Sequence, residues 1–145
     1  MPVHDTYDDV QASYGRCLRK KGFITRFYEI LMQSHPDMEP MFHRTDFGQQ
    51  RKALRRGISI SISFAAGSPS AQYSMDQMAE IHSRIGRAPV DPSLYRFWLD
   101  SLIQALSETD PRFNDKVEAR WREAMQKTID YFSEAFAKNI ARKTA

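Results

Sequence analysis

A chain of 145 residues, 41% hydrophobic and 27% charged, has the length of one domain (1–145) and the balance of an ordinary globular protein. No apolar run approaches the roughly 20 residues that span a bilayer, and Cys17, the lone cysteine, excludes an intrachain disulfide or a Cys-rich metal cluster. The formal net charge of +3 is too mild to call for nucleic acid or an anionic membrane. The first ten residues carry Asp5, Asp8 and Asp9 and no apolar core segment, so a secretory signal is not expected and the cytoplasm is the expected compartment.

In chain order, a first helix is expected over about 4–20, ending before Gly22 with Arg16, Arg19, Lys20 and Lys21 near its C-terminal end, where the helix dipole favours cations. A second covers about 23–34, with Phe23, Phe27, Ile30 and Leu31 as its apolar stripe. His35-Pro36 ends it, because a residue before proline avoids the α region. A short turn at about 36–41 leads into a loop, His43 to Phe47. Strand-like alternation occurs only over Ile58 to Ser63, directly after the helix-forming run Arg51 to Arg56. We read about 48–66 as one helix, stopped at Gly67-Ser68-Pro69. Ser74 and Gln77 have the spacing of a capping box and predict a short helix over about 74–85. Asp91-Pro92 and Asp110-Pro111 each read as an N-cap followed by proline at the first helical position, opening helices at about 92–107 and 111–141. Seven helices and no strand define an all-α class.

His82 carries the first chemical question. Met78 and Ala79 precede it by one turn and Ile85 follows, so its helix face is apolar. A buried imidazole there needs a partner, either a backbone carbonyl or a metal such as the iron of a haem, for which neutral imidazole is the usual proximal ligand. His4, His35 and His43 lack metal-ligand spacing, and no catalytic triad or phosphate-cradling glycine loop is visible.

Motifs along the chain set that choice in context. Phe27-Tyr28, His35-Pro36 and Pro40-Met41-Phe42 follow one another, then Gln50 with Leu54 four residues on, His82, Val90 with Tyr95 and Leu102, and finally Trp121 and Phe132. This ordered set, running over about 7–136, resembles bacterial haemoglobins and the haem domains of flavohaemoglobins, members of the globin family. The resemblance implies a globin fold of about seven helices around a pocket for haem b. It implies that His82 binds the iron, that Phe42 stacks on the porphyrin with Leu54, Met78, Val90 and Tyr95 also lining the cofactor, and that Tyr28 and Gln50 face the ligand. A phenol O–H and an amide N–H are the donors that stabilise a diatomic carrying partial negative charge in a dry pocket. The implied ligands are O2, NO and CO, and the implied roles are O2 binding or transport, or NO detoxification with electrons from a separate reductase, since no flavin or nicotinamide domain follows Ala145.

Two departures stand out. The stretch from His82 to Val90 is about three residues longer than the bacterial pattern, the excess lying in Ile85 to Pro89, and the glutamate that supports the proximal imidazole in flavohaemoglobins is replaced by Phe136, with Glu134 on another face. Other features read otherwise. Arg51, Lys52, Arg55 and Arg56 form a basic cluster, either a solvated face or a source of contacts to haem propionates, with Arg84 and Arg87 as alternatives. The alternative functions are a haem-free globin-like signalling or interaction module, which the presence of His82, Phe42 and Tyr28 disfavours, and a nucleic-acid binder, for which a recognition helix after a tight turn is lacking.

Overall fold

The computed structural model describes residues 4–83 and 88–144, with side chains as far as 138. Among them are seven α-helices and no strand: α1 (Asp8–Leu18), α2 (Phe23–Ser34), α3 (Met38–Met41), α4 (Phe47–Ala65), α5 (Pro69–Ile81), α6 (Tyr95–Thr109) and α7 (Asp115–Thr144), with a 3-10 turn, Pro92–Leu94, leading into α6. The expected all-α class and helix number hold. No helix of the described residues is long and apolar enough to cross a membrane.

Local chemistry explains most boundaries. Gly22, at φ 95°, opens α2, and His35, fully extended before Pro36, closes it. Asp46 caps α4, its carboxylate accepting from the amides of Gly48 (2.9 Å) and Gln49 (3.3 Å). The Ile-Ser alternation resolves as helix, because α4 buries Ile58, Ser61, Ile62 and Ala65, the spacing of one helical face.

Three starts differ from expectation, the first being that of α1, which begins at Asp8 rather than near residue 4. Helix α5 begins at Pro69, five residues before the Ser74 box, because Ser68 supplies an extended N-cap backbone and proline suits the first helical turn. Helix α7 begins at Asp115 rather than near 111. Asn114 caps it through Oδ1, accepting from the Val117 amide at 2.8 Å.

Asp110 does something else. It ends α6, and its buried carboxylate accepts from Ser13 Oγ (2.6 Å), from the Arg16 guanidinium (2.7 and 2.9 Å) and from the Arg112 amide (2.9 Å). Ser13 in turn accepts from the Trp121 indole at 2.9 Å. One polar chain therefore ties α1, the α6–α7 turn and α7 together beneath the core. A second clasp lies at the N-terminus, where Arg120 sits 4.4 Å over the Tyr7 ring and pairs with Asp5 and Asp9. Around these points a continuous core forms, with Val10, Cys17, Phe27, Leu102, Leu106, Trp121 and Met125 fully buried. Helix α2 packs chiefly on α6, and α4 rests on both α5 and α7.

Burial raises the Asp110 carboxyl, but the hydrogen bonds from Arg16, Ser13 and the Arg112 amide outweigh it and bring it from the ordinary 3.8 to about 2. The folded state gains about 2 kcal/mol from this group, complete above pH 4 and lost as pH falls through 2. Asp110→Asn is expected to lower stability by about 2 kcal/mol at pH 6, a difference that closes on acidification when both proteins are unfolded by urea between pH 6 and pH 2.

Candidate functional site

The site lies between α4 and α5. A Cβ built on Gly57 of α4 would meet Met78 Cε of α5 at 3.4 Å, so the Met78 side chain reaches across to the backbone of α4 there. Leu54 precedes Gly57 by about one turn, and His82 follows Met78 by one turn, at the end of α5.

One wall is aromatic. Tyr28, 6% exposed on α2, makes edge contacts with Phe27 (5.0 Å between ring centres), Phe42 (5.9 Å) and Phe47 (5.4 Å). Phe42 and Phe47 are half-buried and tilted against each other at 6.0 Å. The Tyr28 hydroxyl points at the first turn of α4 and donates a long bond, 3.4 Å, to the Gln50 carbonyl. Gln50 itself and Leu54 are half-buried on that helix. Tyr28 and Phe42 are in ring contact, Tyr28 reaches the Gln50 carbonyl, and Leu54 follows Gln50 by one turn on α4. Phe47 joins them without having been singled out in the sequence. Its signal was its place directly after the Asp46 cap, which turns the first residue of α4 toward α2 and α3.

The opposite wall is built around His82, which is half-buried. Bonds to its own helix and to the following segment hold it. Its amide donates to the Met78 carbonyl (3.1 Å), its carbonyl accepts from the Val90 amide (3.1 Å), and Nδ1 lies 3.1 Å from the Ala88 carbonyl. A carbonyl oxygen only accepts, so Nδ1 carries a proton here, and in the neutral imidazole this leaves Nε2 as the nitrogen able to ligate a metal. The imidazole tilts against Phe132 of α7 at 5.5 Å, and Tyr95 meets the same ring at 6.0 Å. Met78 and Val90 are half-buried at the edge of the core. His82 and Tyr95 are therefore brought to one ring. The Tyr95 hydroxyl forms no hydrogen bond among the described residues, to His82 or to anything else.

Phe136 is half-buried and Glu134 exposed, and among the described residues no group of three His, Cys, Asp or Glu side chains gathers to hold a metal ion. Residues 84–87, which hold part of the longer loop Ile85 to Pro89, and with them the suggested contacts of Arg84 and Arg87, lie outside the described residues. Arg51, Lys52, Arg55 and Arg56 are all exposed.

Chemically, the described residues offer one half-buried imidazole at the end of α5, aromatic and aliphatic side chains on α2, α3, α4 and α5, and one neutral, buried phenol on α2. Burial pushes the Tyr28 phenol up to about 12, against smaller lowering by hydrogen bonding to Gln50 and by the charge of Arg51. It remains a donor at any physiological pH. This donor set fits a planar iron porphyrin.

Seven α-helices and no strand among the described residues, with a histidine closing α5, match the architecture of a globin. No protein-family model and no curated protein matches the sequence. A solved structure does: the crystal structure of a protein from Pseudomonas aeruginosa PAO1 described as structurally highly homologous to a human haemoglobin, with 30% sequence identity, a TM-score of 0.85, and coverage of 91% of this chain and 98% of that one. The chain belongs to the globin family. The narrower likeness to flavohaemoglobin haem domains rests on the sequence motifs alone.

The burial of Tyr28 has a measurable consequence. An unfolded tyrosine ionises near 10, so raising the pH above 10 favours the unfolded chain until the folded phenol itself ionises near 12. Because its hydrogen bond is long, Tyr28→Phe is expected to change stability by less than about 1 kcal/mol at pH 7. Relative to the wild type the variant should then gain roughly 1 kcal/mol by pH 11, read from urea unfolding at the two pH values.

Proposed function

We propose that this globin is a haem protein, one domain that holds haem b through His82 and binds diatomic ligands on the Tyr28 side. The observation that carries the reading is the hold on His82. A ring nitrogen and both backbone polar groups are engaged by residues 78, 88 and 90, which sets the imidazole's tautomer and direction before any ligand arrives. A histidine kept only for packing does not require that pre-organisation at the end of its helix.

Each further residue has a task in this reading. Phe42 and Phe47 present ring surface to the porphyrin face, and Leu54, Met78 and Val90 exclude water from the iron's surroundings. When bound, haem supplies a ferrous iron that takes O2, CO or NO. The Tyr28 phenol and the Gln50 amide then provide hydrogen-bond donors to a ligand that carries partial negative charge, in a setting where burial strengthens such bonds. On the other side Phe136 occupies the place of the flavohaemoglobin glutamate, and Nδ1 of His82 meets the Ala88 carbonyl. An imidazole hydrogen-bonded to a carbonyl donates less electron density than one hydrogen-bonded to a carboxylate, which favours reversible ligand binding over peroxidase-type chemistry. Removal of NO would be a use of the same site, with electrons delivered by a separate reductase.

Absorption spectra test this directly. The purified protein, or the protein reconstituted with hemin, is expected to show a Soret band that shifts on reduction and again on adding CO, and His82→Ala to lose or greatly alter it. Absence of haem uptake would overturn the reading and leave a haem-free helical interaction module. In the loaded protein, Tyr28→Phe is expected to speed O2 dissociation about tenfold, the value of one hydrogen bond of about 1.4 kcal/mol, measured by stopped-flow displacement with CO.

A further inference from the structure

The outer side of α4 carries Arg51, Lys52, Arg55 and Arg56 on two successive turns, all of them exposed. None of the four pairs with a carboxylate among the described residues, whereas Arg26, Arg120 and Arg122 on other helices are each held by at least one. The charge is local. Over residues 43–75 these four and Arg44 meet one carboxylate, Asp46, and that group is taken up in capping α4. The whole chain has 21 Lys and Arg against 18 Asp and Glu, so the remainder carries one carboxylate more than it has cations. The patch also has a fixed relation to the candidate site. Two residues along a helix turn it by about 200°, so Lys52 and Arg56 stand opposite Gln50 and Leu54, the half-buried residues on the inner side of the same turns.

Like charges four residues apart, as in Arg51 with Arg55 and Lys52 with Arg56, oppose helix formation, so the cluster works against the fold that carries it and points to a partner. Negative charge is offered by a membrane, a nucleic acid or an acidic protein face. A helix that lies on a membrane needs large apolar side chains beside its cations, and the other exposed residues of α4 are Gly48, Gln49, Ala53 and Ser59. A long polyanion would run beyond the patch onto surface with no excess of positive charge. A compact acidic face fits. We propose that the outer side of α4 is the docking surface for the acidic face of a reduced flavoprotein that delivers electrons to the haem, an inference that rests on the haem reading above. One electron passes from the partner's flavin to the ferric iron; the flavin is oxidised and the iron reduced by that electron, and no bond forms between the proteins. Electron transfer falls steeply with distance, and a donor seated here is separated from the site by one helix, about 10 Å thick. Such encounters need little area, below about 1,200 Å², and gain their speed from charge. Arginine, three of the four cations, pairs two-pronged with carboxylates.

The test mixes hemin-loaded, ferric protein in a stopped-flow instrument with excess reduced flavodoxin, a small acidic flavoprotein, under CO to trap the ferrous form, at about 20 and about 200 mM salt. The second-order rate of reduction is expected to fall about tenfold over that range, and at the lower salt to be about tenfold slower in the double variant Lys52→Glu, Arg56→Glu. The double variant Lys20→Glu, Lys21→Glu makes the same change of net charge at exposed residues between α1 and α2 and should keep most of the rate. Equal slowing in both double variants would mean that net charge alone matters and overturns the docking surface. A rate indifferent to salt, or to the change at Lys52 and Arg56, overturns it too. Retention of the protein by phosphatidylglycerol vesicles or by duplex DNA at about 150 mM salt, lost in the Lys52 and Arg56 variant, assigns the face to that partner and likewise overturns the proposal. The Soret band is read before mixing. Failure to take up haem is seen at that step and sinks the haem reading and the docking together, whereas a loaded protein that fails the rate test sinks the docking alone.

Discussion

A carboxylate with no solvent access is stable only where donors surround it, and the meeting of three segments at Asp110 meets that condition. Ser13 and Arg16 come from α1, the Arg112 amide from the turn, and Trp121 of α7 completes the chain through Ser13. Losing any donor would leave charge in the core with less compensation, so the three segments are constrained together. The remaining helices build on that corner. Helix α6 runs from it against α2, which carries Tyr28, and α7 runs from it to Phe132, which supports His82. The candidate site is thus framed by helices whose relative positions are set at the opposite end of the core.

The two walls of the site differ in how they restrain their polar groups. Tyr28 is oriented by aromatic packing, with three rings around it and a hydrogen bond too long to anchor it. Packing of that kind fixes direction while leaving the hydroxyl available to a better acceptor. His82 is oriented by hydrogen bonds to its own helix and to the following segment. This is the arrangement expected where a ligating nitrogen must hold a set direction and a donor must respond to what arrives. From the described part of that segment it takes two backbone partners, the Ala88 carbonyl and the Val90 amide.

Much of the architecture was legible in the order of residues because local rules were strong there. Gly22, His35-Pro36, Asp46 and the Gly67-Ser68-Pro69 break each act within a few residues of themselves, and each marks an observed boundary. The expectation failed where one signature admitted two uses. Ser74 and Gln77 have capping-box spacing but lie inside α5, since Ser68 and Pro69 already start the helix upstream. Asp110-Pro111 looks like a helix start, but the carboxylate is drawn inward by Arg16, far away in sequence, and the start passes to Asn114. Of the candidate site, Tyr28, Phe42, Gln50, Leu54 and His82 were visible because they recur at the spacings of a known family. Phe47 and the supporting role of Phe132 were not, since one follows a cap and the other belongs to an ordinary core stripe.

The sequence by itself determined an all-helical chain, the helix count, the family resemblance and the histidine on an apolar face, because these depend on periodicity, local capping and motif spacing. Only the tertiary structure decided which groups meet across long stretches of chain. It brought Asp110 to Ser13 and Arg16, aimed Tyr28 at the start of α4, set Nδ1 of His82 against the Ala88 carbonyl, and brought His82 and Tyr95 to the Phe132 ring. Hydrogen-bond satisfaction in a core is a property of the space between elements, and no local pattern of residues specifies it.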